Sequence, residues 1–242
     1  IGFSGMVMGM MSLNGAAPGV AIFAGLLSSF LIGILNGALV AYGKMNSFIV
    51  TLSTMTIARG VILILTNSQS VFGFGTAFTF IGSGAVGPVN MPIVISLIVA
   101  LIGAVILHKT TFGNYCLFIG SNEVALNRSG VNVRRYKMIV FGICGLCAGI
   151  AGMIVTARLN SAEPLAGQGY DAIAAAILGG TSMKGGKGSI IGTIIACFIL
   201  NVLKNGLTIL SISSHYQEIL TGFILIISVL ISEYHEREKR EV

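Results

Sequence analysis

The chain has 242 residues, of which 55% are hydrophobic and only 9% charged, where an average soluble domain carries roughly 25% charged residues. That composition excludes an ordinary water-soluble enzyme or scaffold, because so few charges cannot cover a soluble surface of this size. The formal charge of +6 does not indicate nucleic acid, since the basic residues stand in short segments between apolar runs and not along one amphipathic face.

A helix crosses the hydrocarbon core in about 20 apolar residues, and runs of that length recur along the chain. Ile1 to Leu13 is apolar but short. Full-length runs follow at Pro18 to Tyr42, Ser47 to Thr66, Met91 to His108, Lys137 to Ala157, Gly188 to Leu207 and Tyr216 to Ser232. Asp171 to Ser182 is apolar yet too short to cross straight, so it is expected to be a half helix lining a cavity. The fold class is therefore all-α, a polytopic transmembrane helical bundle of about seven to eight membrane segments in one domain over residues 1–242. The 33 glycines fit helices that must approach closely in lipid.

Orientation follows from the short loops that hold Lys and Arg. Lys44, Lys109, Arg128, Arg134, Arg135, Lys137, Lys184, Lys187, Arg237, Lys239 and Arg240 fall on one side if the spans alternate and the Asp171 to Ser182 segment counts as a crossing. That side is expected to be the cytoplasm, and the C-terminal tail lies there. The opposite loops, near Asn14 and over residues 67–90, 160–168 and 211–214, hold almost no basic residue. Arg59 and Lys204 fall inside apolar runs, so they must be buried in protein, face water or snorkel.

The basic loop at 109–136 contains its own helix signals. Ser121 can cap a start, Glu123 suits the positive end, Arg128 suits the last turn and Gly130 the left-handed exit. A short cytoplasmic helix is expected there. The stretch from Gly179 to Ser189 looks at first like a phosphate-binding loop, but Gly188, not Ser or Thr, follows Lys187, and no acidic run is at hand for Mg²⁺. It is better read as a tight glycine-rich turn between membrane segments.

No catalytic constellation is visible, so the chain is not expected to be an enzyme. His108, His215 and His235 stand near span ends without metal-ligand spacing to Cys, Asp or Glu. Cys116, Cys144, Cys147 and Cys197 are expected to be unpaired packing residues, including the C-x-x-C within the fourth full-length run. The eight acidic residues lie mostly at loops and in the tail, with Glu218 nearest to a span. A proton-coupled carrier more often places a carboxylate within the membrane.

Several stretches carry a resemblance. They are Phe48-Ile49-Val50-Thr51-Leu52-Ser53-Thr54-Met55-Thr56-Ile57-Ala58-Arg59-Gly60, Phe112-Gly113, Gly120 to Gly130, Ala148 to Arg158, Gly167-Gln168-Gly169-Tyr170 with Asp171-Ala172-Ile173-Ala174-Ala175, Leu178-Gly179-Gly180-Thr181-Ser182, Gly185-Gly186 to Gly192, and Leu200-Asn201-Val202-Leu203 with Asn205-Gly206-Leu207. Together they resemble the permease subunits of ATP-binding cassette importers for monosaccharides of the ribose, xylose and galactose type. The resemblance implies a pathway for such a sugar across a bacterial inner membrane, alongside a second permease copy or paralogue. It also implies ATP-binding cassette ATPase subunits beneath, which use the ATP, and a periplasmic or lipid-anchored sugar-binding protein outside. No cofactor bound by this chain and no nucleic acid is expected, and lipid surrounds the spans.

The resemblance assigns coupling to the ATPase to Gly120, Ser121, Asn122, Glu123, Ala125, Leu126, Arg128 and Gly130, within the 109–136 loop. Asn36, Thr51, Thr54, Arg59, Asn201 and Asn205 are the candidates for the translocation pathway, because a neutral, hydroxyl-rich solute needs hydrogen-bonding side chains without a charge trap. The family begins with further helices and an Ile-Asp-Leu-Ser motif, where this chain reads Ile1-Gly2-Phe3-Ser4, so the first helices are expected to be missing. The competing expectation is an ion-coupled secondary carrier or channel for a small polar solute. Inverted repeat halves would mark it, and none is seen.

Overall fold

The computed structural model describes residues 1–164, 169–183 and 185–238, and these are overwhelmingly helical. They form two compact units, Ile1–Ile102 with Val131–Gly167, and Gly103–Gly130 with Gln168–Val242. Of the sequence-stretches singled out above, Gly167-Gln168, Lys184 and residues 239–242 of the tail lie outside the described residues.

The first unit is built on α1 (Gly2–Leu13), α2 (Pro18–Ala41), α3 (Ser47–Thr66) and α7 (Val133–Leu159). Pro18 opens α2 at its first turn, where a missing N–H costs nothing. Asn46 caps α3 by accepting from the Phe48 N–H at 2.9 Å, and α3 ends on Asn67 in the left-handed conformation. Asn132 caps α7, and its exit residue Asn160, also left-handed, turns its Oδ1 to accept from the Phe74 N–H at 3.3 Å.

The core of this unit is a glycine seam between α2 and α7. A Cβ at Gly33 would fall on the Phe141 carbonyl oxygen, one at Gly37 would lie 2.7 Å from the Met138 Cα, and one at Gly145 would strike the Ser29 carbonyl. Backbone therefore touches backbone along the pair, the contact mode that lipid favours. Beside the seam, Met6, Met8, Ile62, Phe74, Phe78 and Met153 form a buried apolar cluster.

The segment at 67–90 is more ordered than a loop. It holds the strand β1 (Val71–Phe72), the helix α4 (Thr76–Ser83) and a hairpin of β2 (Ala85–Val86) with β3 (Val89–Asn90). The strand β4 (Ser161–Ala162) pairs antiparallel with β1, matching Val71 to Ala162 and Phe72 to Ser161. In α4, Gly82 lies so close to the end of α7 that a Cβ would overlap the Ala157–Arg158 peptide.

α5 (Met91–Lys109) belongs to the first unit as far as Ile102 and to the second from Gly103. The second unit continues with α6 (Thr111–Arg128), α8 (Gly169–Leu178), α9 (Ile190–Ile209) and α10 (Ser214–Glu238). Its small core joins Ala174 and Ala175 of α8 to Ala196 and Leu200 of α9, with Ile224 of α10 packed against them.

Among the described residues five helices, α2, α3, α5, α7 and α9, are long and apolar enough to cross a membrane. Their limits match the expected runs closely, except that α7 starts at Val133, ahead of the expected Lys137. α10 contains the apolar run Ile219–Leu230. α8 rises only about 15 Å over its 10 residues, half of the hydrocarbon core of about 30 Å, as expected for a half helix.

The seam makes a mutational prediction. Gly145→Val places methyl groups on the Ser29 carbonyl and should destabilise the bundle by about 1–3 kcal/mol. Gly222→Ala, where a Cβ meets nothing within 4 Å, should be neutral or stabilising. Thermal unfolding in detergent, followed by circular dichroism, separates the two; equal midpoints would remove the seam as the organising contact.

Candidate functional site

Two groups of residues in the second unit have geometry suited to function. The first is an elbow in α6. Thr110 caps the start of this helix by accepting from the Gly113 N–H at 3.3 Å. The helix then breaks at Asn122, where φ is −156° and ψ is 88°. Beyond the break, Asn122 Oδ1 accepts from the Ala125 N–H at 3.0 Å and caps a new short helix.

The expected cap, Ser121, does not serve: its hydroxyl donates back to the Leu117 carbonyl at 3.3 Å and belongs to the preceding helix. The reason is the break itself, which lies one residue later than the sequence pattern suggests. The exit is as expected, with Gly130 at φ +84°. Gly120, Ser121, Asn122, Glu123, Val124, Ala125, Asn127 and Arg128 are exposed, whereas Leu126 is half-buried.

The elbow rests on the glycine-rich turn that joins α8 to α9. Ser182 N–H donates to the Lys187 carbonyl at 3.1 Å, Gly185 N–H donates to the Ser182 carbonyl at 3.1 Å, and Ser189 caps α9 through the Gly192 N–H at 3.0 Å. Gly185 and Gly186 take φ of +89° and +81°, which side chains rarely adopt. A Cβ on Gly120 would fall on the Gly186 nitrogen, and one on Gly185 would lie 2.7 Å from the Gly120 Cα. Elbow and turn thus touch through bare backbone. Beside the contact lies a cavity of about 290 Å³ lined by Leu107, Cys116, Leu117, Thr181, Lys187 and Ile190, among others. Burial pushes the Cys116 thiol above its ordinary pKa, which disfavours the thiolate.

The second group is a polar face on α9. At 100° per residue, Cys197, Asn201, Lys204, Asn205 and Thr208 fall within an arc of about 100°. Ile191, Ile195, Phe198, Ile199 and Val202 lie on another side and are exposed. Asn201 donates to the Cys197 carbonyl at 2.8 Å. Lys204, which fits no loop, pairs with Asp171 of α8 at 2.6 Å, with side chains 31% and 28% exposed. Thr208 Oγ1 accepts from Gln217 of α10 at 3.1 Å.

Sequence reasoning missed this ion pair. Asp171 was expected to begin the half helix but was given no partner, and only the antiparallel packing of α8 on α9 brings it opposite Lys204, 33 positions away. Lys204 lies 14 residues into α9, about 21 Å from its start, and meets Asp171 in the first turn of α8.

The expected pathway residues divide between the units. Asn201 and Asn205 are exposed on the α9 face, and Asn36, Thr51, Thr54 and Arg59 belong to the first unit. Thr51 and Thr54 donate their hydroxyls to carbonyls of their own helix, at 2.9 Å to Ser47 and 3.0 Å to Val50, leaving only acceptor capacity. Asn36 Oδ1 is enclosed without a hydrogen-bond partner among the described residues. Arg59 is exposed on α3, which in a bilayer requires water or protein beside it.

Comparison with known proteins gives a consistent picture. A family model described as branched-chain amino acid transport system / permease component matches residues 1–229. The chain is 42% identical over 232 residues to the ribose import permease protein of Bacillus subtilis (strain 168), covering 94% of this chain and 72% of that protein. It is 38% identical over 234 residues to the D-allose transport system permease protein of Escherichia coli (strain K12), covering 96% and 72%. With the L-arabinose transport system permease protein of the same strain it shares 36% over 225 residues, covering 92% and 69%. No solved structure matches.

The elbow can be tested through Cys116, made the single cysteine by replacing the other three with serine. Gly120→Val should lift the elbow from the turn and expose the thiol, returning its pKa toward the ordinary value. Alkylation near neutral pH should then speed up by about threefold for each unit by which the pKa falls, because the gain in thiolate is partly offset by its lower nucleophilicity. An unchanged rate would mean that elbow and turn do not pack together.

Proposed function

The chain belongs to the family of branched-chain amino acid transport system / permease components, and on that premise we propose that it forms the pathway for a monosaccharide as the transmembrane subunit of an ATP-binding cassette importer. The observation that carries this reading is the identity, over nearly the whole chain, with permeases named for ribose, allose and arabinose. All three are monosaccharides, which places the substrate class with neutral sugars rather than amino acids. The ion-coupled carrier falls away on the same ground. The chain is a multi-pass membrane protein, with α2, α3, α5, α7 and α9 of spanning length.

On this reading, ATP is hydrolysed in separate cassette subunits, a second permease copy or paralogue completes the pathway, and a binding protein delivers the sugar. Residues 1–242 act as one permease domain in a bacterial inner membrane. The 109–136 segment and the tail lie in the cytoplasm, in agreement with the basic residues of these segments. The short helix beyond Asn122 docks on the ATPase. Its six residues, 123–128, rise about 9 Å, too little to cross and enough to fill a groove. Glu123 and Arg128 offer one charge of each sign, and Val124, Ala125 and Leu126 a small apolar surface. Gly120, Ser121, Asn122 and Gly130 set its angle and limits. The pathway draws on Asn36, Thr51, Thr54, Arg59, Asn201 and Asn205, with the α9 face as its best-supported part.

The double variant Glu123→Lys, Leu126→Asp should insert in the membrane at the wild-type level and lose both the copurifying ATPase and sugar uptake. Expression beside the cognate ATPase, affinity purification and uptake of labelled D-ribose, D-allose and L-arabinose read this out. Normal ATPase stoichiometry with intact uptake would reduce the segment to a connector.

A further inference from the structure

We propose that the Asp171–Lys204 pair, with Asn201, Asn205 and Thr208 around it, is a station in the membrane where hydroxyl groups of the passing monosaccharide are held. The inference rests on the permease reading above and adds to it a site with named groups. Three observations lead to it. The first is position: Lys204 lies within the length of the apolar helix α9, and Asp171 meets it from the first turn of the half helix α8, where a charge is tolerated only against protein or water. The pair is about one-third exposed, so it is not sealed between α8 and α9.

The second is unused capacity. One hydrogen bond, from Lys204 Nζ to Asp171 Oδ2, joins the two. A carboxylate has about four acceptor sites and an ammonium three donors, so acceptors and donors remain side by side. Adjacent sugar hydroxyls, each donor and acceptor at once, match that pattern. Because the charges cancel, the site binds a neutral polyol without becoming a trap for ions.

The third is continuity. Asn201 lies one turn below the pair, Asn205 beside it and Thr208 one turn above, all exposed and on the same arc. Gln217 of α10 meets Thr208 at the upper end. A row of amides and hydroxyls at one-turn spacing, about 5.4 Å, lets a sugar exchange partners stepwise without being stripped of all hydrogen bonds. The half helix α8 adds its N-terminal end, which carries Asp171 in its first turn, to the same place.

A purely structural ion pair makes a different prediction. Replacing such a pair by apolar residues of similar volume is often neutral or stabilising, so Asp171→Leu, Lys204→Met would then leave transport unchanged. If the pair is a station, this variant assembles with its ATPase and keeps its thermal midpoint while uptake falls at least about tenfold. The conservative Asp171→Asn, Lys204→Gln, which keeps donor and acceptor groups, should stay within about threefold of the original rate. A second variant, Asn201→Leu, Thr208→Val, leaves the ion pair in place and should also lose about tenfold. It decides the matter if the apolar pair fails to assemble.

The assay is uptake of labelled D-ribose, D-allose and L-arabinose into proteoliposomes that hold the whole complex. Wild-type uptake with equal uptake by an assembled apolar variant overturns the station alone. A wild-type complex that moves none of the three sugars overturns the permease reading, and the station with it.

Discussion

In lipid, one apolar helix gains nothing by leaving hydrocarbon for another, and so the close approach of α2 and α7 is the contact on which the first unit depends. Glycines make it possible. Gly33 and Gly37 on α2 and Gly145 on α7 bring backbone to backbone, while Gly142 and Gly149 make room for the side chains of Phe30, Ile34, Leu26 and Ser29, and Ser29 donates to the Gly25 carbonyl beside them. Dispersion acts over short distances, so a gap of about 0.5–1 Å along such a seam forfeits roughly a quarter to a half of the attraction. The methionine and phenylalanine cluster of Met6, Met8, Phe74, Phe78 and Met153 then fills the space left where α1 and α4 meet the pair.

The second unit answers a different constraint. A helix as short as α8 cannot satisfy its ends by reaching the two membrane surfaces, so its polar ends need partners from the chain itself. At its C-terminal end, Gly179 and Gly180 N–H groups donate to the Ala175 and Ile177 carbonyls, and the turn leads directly into the capped start of α9. Near its other end, Asp171 meets Lys204. The half helix is thus held against α9 at both ends, with alanines between, and the groups that hold it also make the polar face.

Much of this was legible in the sequence, for physical reasons. A run of about 20 apolar residues identifies a span without knowledge of any neighbour, which is why α2, α3, α5 and α9 were found almost to the residue. Gly130 could be placed as the exit because a left-handed residue has a local signature. The strands β1 and β4, of two residues each, have no period to detect, and their pairing joins positions 71–72 to 161–162. The Asp171–Lys204 pair depends on the register of α8 against α9, which no single segment encodes. The break in α6 shows an intermediate case: Ser121 and Asn122 are both good caps, and the choice between them depends on where Gly120 meets the turn at Gly185 and Gly186. In α3, Thr51 and Thr54 were expected to offer hydrogen-bonding side chains to a solute, but a helix offers each hydroxyl an i−4 carbonyl, a preference that composition alone does not show.

The elbow also explains why glycine recurs where force would have to pass. On the proposed function, a displacement of the short helix beyond Asn122 must reach α8 and α9 before it affects a sugar. A contact made of long side chains would absorb much of that displacement, since each side chain has rotamers to change. Gly120 against Gly185 and Gly186 has none. Backbone meets backbone there, and the turn is itself braced by the Ser182 to Lys187 and Gly185 to Ser182 hydrogen bonds. From Gly186 only Lys187, Gly188 and the cap Ser189 separate the contact from α9, whose polar face begins at Cys197 about two turns on. On the proposed function, a joint made largely of backbone so close to the start of α9 would pass a small shift of the short helix on to α9 with little lost to rotamer changes. The positive φ of Gly185 and Gly186 permits the tight turn that brings the backbone within reach of the elbow.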